Sequence, residues 1–167
     1  MEVKGWTLYL HPLFQQQLEK LAAQVEALQA KDSLAYKEQP ATKLLATINR
    51  YVHEIIPHDP GAAAFRQGNT LGVDNRHWFR AKFHERYRLF YRYSSKEKVI
   101  VYAWVNDENT LRKAGSKNDP YAVFRNMLNT GNPPNTMAEL LAVSMKLEAV
   151  GFARQRAAAK PGKKRNR

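Results

Sequence analysis

Residues 78–105, WFRAKFHERYRLFYRYSSKEKVIVYAWV, decide how this chain folds. Period-two alternation in Trp78–Phe83 sends Phe79, Ala81 and Phe83 to one side of a strand and Arg80 and Lys82 to the other. The next run repeats the pattern, with Tyr87, Leu89, Tyr91 and Tyr93 on one face and Arg86, Arg88 and Arg92 on the opposite one. Ser94-Ser95-Lys96-Glu97 has the length of a hairpin connection, which makes Val99–Val105 an antiparallel neighbour. The nearly unbroken apolar run of that last strand suits burial on both faces. Together the three segments predict a sheet with a floor of cations. A pleated sheet holds its side chains better than a loop does, so such a floor is a preset site for a polyanion, foremost the phosphate backbone of RNA. A solvated outer face, with arginine guarding an edge strand, is the competing reading.

Working outward, Gly5–Leu10 reads as a short opening strand closed by His11-Pro12. Leu13, Phe14, Leu18, Leu21, Ala22, Val25 and Leu28 recur at helical spacing over residues 12–30. A second helix is expected over 40–56, with Leu44, Leu45, Ile48, Val52, Ile55 and Ile56 on its apolar stripe and Pro57 as its stop. Two such helices form a hairpin that needs a sheet to cover. Residues 57–77 are irregular, punctuated by Pro57, Pro60, Gly61, Gly68 and Gly72. Downstream, Asp119-Pro120 marks a helix start, Asn132-Pro133-Pro134 breaks that helix, and a final helix is expected over 136–152. The order β-α-α-β-β-β predicts an α+β class: an antiparallel sheet with the helical hairpin on one face and helices at its C-terminal end.

At 167 residues the chain has the size of one ordinary domain, placed at 1–152, followed by a basic tail at 153–167. The net charge of +12 divides unevenly. Seven Lys/Arg and no acid lie in 154–167, leaving 20 cations against 15 acids, or +5, on the rest. The tail has too little apolar content to pack and is expected to be disordered from about Ala157, raising affinity for any nucleic acid without choosing one. With no cysteine, disulfides and thiolate zinc sites are excluded. No apolar leader or membrane-length run occurs, so the expected location is the cytoplasm.

The five histidines, at 11, 53, 58, 77 and 84, show no helical metal-ligand spacing, and no metal or cofactor is expected. Phosphate-loop, dinucleotide and nucleophile-elbow patterns are absent. What remains is Asn106-Asp107-Glu108-Asn109-Thr110-Leu111-Arg112-Lys113, at the end of the third core strand. Asn and Asp there are routine turn formers. Functionally, the same stretch lets Arg112 and Lys113 swing over Arg80, Lys82 and Arg88. Cations without metal ligands or a histidine dyad suit RNA cleavage, in which the substrate's own 2'-OH attacks the adjacent phosphate while cations stabilise the pentacovalent dianion. A lysine among arginines has its ammonium form disfavoured, which fits Lys82 for proton abstraction.

GWTLYLHP (5–12), ATKLLA (41–46), AFRQGNTLG (64–72), WFRAKF (78–83), RYRLFYRYSSKEKVI (86–100), AWVNDENTLRKAG (103–115) and YAVFRNML (121–128) are the stretches by which the chain resembles the YhaV toxins, mRNA-cleaving partners of PrlF antitoxins within the RelE/ParE superfamily. The resemblance implies a RelE-like fold, ribosome-dependent and metal-independent cutting of translated mRNA, and a PrlF-like antitoxin forming a hetero-oligomer that binds promoter DNA. It also implies roles. Arg80 and Lys82 stand at the basic catalytic positions before the Tyr-Arg-Leu strand, Arg88 matches that motif's arginine, and Arg112 and Tyr121 match the basic and aromatic positions after the last core strand. The expected catalytic set is Arg80, Lys82, Arg88 and Arg112, with Arg86, Arg92, Lys113 and Tyr121 binding RNA. The alternative is a non-catalytic member of the superfamily that binds rRNA or a protein target such as gyrase.

Overall fold

The computed structural model describes residues 1–148, so the basic tail and the end of the expected last helix lie outside the described residues. The chain runs β1 (Glu2–Val3), β2 (Trp6–Leu10), α1 (Pro12–Lys31), α2 (Pro40–Arg50), β3 (Phe79–Phe83), β4 (Tyr87–Ser94), β5 (Val99–Val105), α3 (Pro120–Asn129), α4 (Met137–Val143) and β6 (Met145–Lys146). The strands form one six-stranded sheet in the order β1-β2-β5-β4-β3, with β6 also on β2. The class is α+β as expected, but the sheet is mixed: β2 runs parallel to β5, with Leu8 opposite Ile100. A wholly antiparallel sheet was the expectation, and it fails because no hairpin sets the direction of β2. The helical hairpin and the β3–β4 pair carry the chain back to the starting end, the long crossover that a parallel neighbour requires.

One face of the sheet follows the alternation. Ala81, Phe83, Leu89, Tyr91, Ile100 and Tyr102 are buried against Phe14, Leu18, Leu45, Ile48, Val52 and Ile56 of the helical hairpin. Helix α2 passes Arg50 into a π turn over Tyr51–Ile55 and a last α turn over Ile56–His58, so Pro57 does not stop it. The Ile56 N–H reaches back to the Tyr51 carbonyl, which frees the Val52 carbonyl to accept the buried Tyr102 hydroxyl at 2.8 Å. A widened turn also relieves the crowding of a proline ring against the carbonyl four residues earlier.

The opposite face is not a charged floor. Phe90, which alternates onto the same side as Arg88 and Arg92, joins Trp78, Val101, Ala103 and Trp104 in a second core under Tyr121, Phe124, Leu128 and Leu140. Phe90 stacks on Phe124 with ring centres 4.3 Å apart. A bulge between β4 and β5 makes this possible. Tyr91 faces Tyr102 while Phe90 faces Trp104, so Ala103 is the extra residue that turns Trp104 toward Phe90. The last helix is correspondingly shorter than expected. Leu140 fills the second core and Leu147 the first, and a continuous helix would place this i, i+7 pair on one side. Instead the chain extends at Ser144 and pairs Met145 and Lys146 with the edge of β2.

His11 closes β2 and opens α1: it is buried, and its Nδ1 accepts the Leu13 N–H at 3.1 Å. Burial holds its pKa below the usual histidine value, as it does for His53 and His77. The unfolded chain therefore binds more protons below about pH 6.5, so stability is full above that value and falls as the pH drops through it toward the folded values. Protonated Nδ1 cannot accept the cap. His11→Asn keeps an acceptor at the cap and removes the titration, and its Tm should fall less steeply than that of the wild type between about pH 7 and 5. Parallel Tm profiles for the two proteins would contradict this.

Candidate active site

The elements converge on one phenol. Asp119 caps α3 by accepting the Tyr121 N–H at 3.1 Å, and Pro120 supplies the fixed φ of the first turn. This seats Tyr121 over the edge of the second core, its ring edge-on to Phe90 at 5.6 Å. The Tyr121 oxygen then accepts from Arg80 Nε at 2.8 Å and from Arg88 Nε at 3.1 Å. Arg80 also donates from Nη1 to the Ala64 carbonyl at 2.9 Å, and Arg88 from Nη1 to the carbonyls of Glu85 and Tyr87, each at 2.9 Å. The β3–β4 turn aims the first of those carbonyls, with His84 and Glu85 both at positive φ (45° and 60°). Arg80, Arg88 and Tyr121 are 8%, 7% and 6% exposed. Among the described residues neither guanidinium has a partner for Nη2, which leaves both N–H donors of that nitrogen open on each.

The loop after β5 brings the third cation. Asn106 is buried, and its amide continues the β4–β5 ladder by accepting the Arg88 N–H at 2.6 Å and donating to the carbonyls of Arg86 and Thr110. From there the chain returns over β4, and Arg86 and Arg112 exchange two bonds: the Arg112 N–H meets the Arg86 carbonyl at 3.0 Å, and Arg86 Nε meets the Arg112 carbonyl at 3.2 Å. The Arg112 guanidinium pairs with Asp119 at 2.6 Å and stands 5.0 Å from the centre of the Tyr121 ring. Asp119 is nearly fully buried and also accepts the Lys113 N–H at 2.8 Å.

The structure thus unites Arg80, Arg88, Arg112 and Tyr121, and places the other expected site residues differently. Lys82 is exposed and directly opposite Arg88 in the β3–β4 register, at the rim. Arg86 precedes β4 and holds the Arg112 loop. Lys113 is exposed and meets Asp119 through its backbone. Arg92 lies four residues along β4 from Arg88, about 13 Å away. It is a packing residue there, bonded to the Asn135 carbonyl with its guanidinium 5.6 Å from the Trp78 ring centre. Sequence reasoning missed Asp119 and Asn106, which read as an ordinary helix start and an ordinary turn former. Their signal was position: each sits where a strand or helix end meets an arginine that needs orienting.

Residues 8–145 match the family model described as a toxin with endonuclease activity, of toxin-antitoxin system. The chain belongs to the YhaV toxin family. Toxin YhaV of Escherichia coli O6:H1 (strain CFT073) is 52% identical over 134 residues, covering 79% of this chain and 87% of the relative. The ribonuclease toxin YhaV of Escherichia coli strain K12 and toxin YhaV of Escherichia coli O157:H7 match with the same identity and coverage. No solved structure matches the chain. Membership of the YhaV family makes this protein an endonuclease toxin with an antitoxin partner, and sets aside the non-catalytic alternative. No helix among the described residues is long and apolar enough to cross a membrane.

Proposed function

We propose that this YhaV-family chain is a RelE-like mRNA endoribonuclease that works on translating ribosomes and cuts by internal 2'-OH attack. The observation that carries the reading is the Tyr121 oxygen held between Arg80 Nε and Arg88 Nε, with the remaining donors of both arginines available to a phosphate. In the scheme the 2'-oxygen bonds to phosphorus, the bond from phosphorus to the 5'-oxygen breaks, and a 2',3'-cyclic phosphate and a 5'-hydroxyl result. The Nη2 groups of Arg80 and Arg88 stabilise the dianionic pentacovalent species, as preorganised donors do wherever charge develops. A phenol has two lone pairs and one proton. Both lone pairs of Tyr121 are taken by the arginines, so its proton is the group left to give to the departing 5'-oxygen. Arg112, above the ring, steadies that leaving side, while Lys82 at the rim stands beside the attacking hydroxyl and takes its proton as base, or supports the loss of that proton to water as an electrostatic partner.

The partner follows the same charge. Three guanidinium groups with one carboxylate between them suit an acidic antitoxin segment that occludes the site, by resemblance part of a PrlF-like protein in a hetero-oligomer that also binds promoter DNA. Co-expression of the neighbouring open reading frame should relieve toxicity and yield a complex whose association slows with salt. A neighbouring product that neither binds nor protects would count against this partner.

Arg80 is buried and ties down Ala64, so Arg80→Ala loosens a loop as well as the site. Tyr121→Phe keeps the ring packing and removes only the hydroxyl. Each should lower cleavage of translated mRNA by roughly a hundredfold or more, read as newly mapped ends, with urea unfolding to confirm the fold. A folded Tyr121→Phe protein that cuts at the wild-type rate would overturn the role given to the phenol.

A further inference from the structure

Beside the arginine–tyrosine cluster lies an open cleft of about 670 Å³, between Arg112, the loop at 114–117 and one face of α3, with Thr70 on the far wall. This is the size of a small-ligand site. Arg112 and Tyr121 line both the cleft and the cluster, so a strand seated on one continues into the other. Along α3 the wall is Tyr121, Arg125 and Asn129, each four residues from the last and so stacked on one face, with Asn126 alongside. The only carboxylate among the described residues of this lining, Asp119, is already engaged by Arg112.

Arg125 is exposed, and no carboxylate among the described residues pairs with it. Its guanidinium lies on Gly72. A Cβ at that glycine would stand 3.2 Å from Nη2, 3.3 Å from Cζ and 3.5 Å from Nε, so the planar group rests nearly flat on the backbone. Gly72 has a φ of +88°, and the residue 72 backbone therefore favours glycine for its own conformation as well as for this approach. A guanidinium held by packing and free of acids is prepared for an external anion. Asn126 and Asn129 each carry a donor and an acceptor, the complement of a base edge.

We propose that this cleft is a subsite for the RNA nucleotide adjoining the scissile phosphate, Arg125 binding its phosphate and Asn126 and Asn129 reading its base. The assignment rests on the RNA-cleaving reading above. An acidic protein segment would meet the same cations, but the paired amides and the continuity with Tyr121 favour RNA.

The test compares Arg125→Ala, a double variant Asn126→Ala/Asn129→Ala, and Arg50→Ala, which removes the same charge from an exposed position on α2. The probe is a short fluorescent RNA, 2'-O-methylated throughout so that it binds but cannot undergo internal attack. Arg125→Ala should weaken binding about tenfold and flatten the slope of log K against log salt by about 0.7, one phosphate contact on a single strand. Arg50→Ala should leave affinity and slope at wild-type values. The asparagine pair should broaden the base distribution at one position beside the mapped cuts on translated mRNA. Wild-type affinity and slope in Arg125→Ala overturn the subsite, and so does an Arg125→Ala protein that keeps RNA affinity while losing the antitoxin. Because the probe is bound and not cut, binding that depends on Arg125 in a wild type unable to cleave would sink the cleavage reading and leave the subsite standing. A wild type that does not bind the probe overturns the subsite and leaves the cleavage reading, which is tested on translating ribosomes, standing.

Discussion

Two buried arginines share one phenol oxygen, and neither has a carboxylate partner among the described residues. Charges taken out of water are costly unless paired. Among the described residues the hydrogen-bond partners of the Arg80 and Arg88 side chains are a hydroxyl and the carbonyls of Ala64, Glu85 and Tyr87, while Asp119 is committed to Arg112. The site is thus under-neutralised, and in the proposed reaction the scissile phosphate completes it. The rest of the architecture serves to hold cations together that repel one another: the hairpin turn supplies carbonyls, the capped start of α3 supplies the phenol, and the bulge at Ala103 lets an aromatic stack carry α3 onto the sheet.

The loop between β5 and α3 has a similar logic. Asn106 substitutes side-chain amide groups for missing backbone partners of β4, and Asp119 meets three donors at once, from Arg112, Lys113 and Tyr121. Both residues act through others. Asn106 fixes the backbone that aims Arg88, and Asp119 couples the placement of Arg112 to that of Tyr121.

What the sequence made legible was local. Alternation identified β3, β4 and β5, helical spacing identified α1 and α2, and the Asp119-Pro120 cap located α3 to within a residue. Hidden features depended on contacts distant in sequence. The parallel pairing of β2 with β5 is set by a crossover and not by a turn. Alternation places Arg80, Arg88 and Arg92 on one face, but it cannot say that helices cover that face, which turns two of these residues into a buried site and the third into a packing contact with Trp78. Tyr121 entered as an RNA-binding residue by resemblance. Its place between two arginines requires α3 to cross the sheet, which no local pattern encodes.

The central claim is that the substrate supplies its own nucleophile while the protein supplies charge and a proton. The most direct measurement uses an mRNA with a single 2'-deoxy nucleotide at a mapped cleavage position, translated in the presence of the protein, with the chemistry of the new ends determined. The account predicts that cutting disappears at that position alone, and that neighbouring cuts leave 2',3'-cyclic phosphate and 5'-hydroxyl ends. Cutting that persists at the deoxy position, or 5'-phosphate ends at the neighbouring sites, would contradict it.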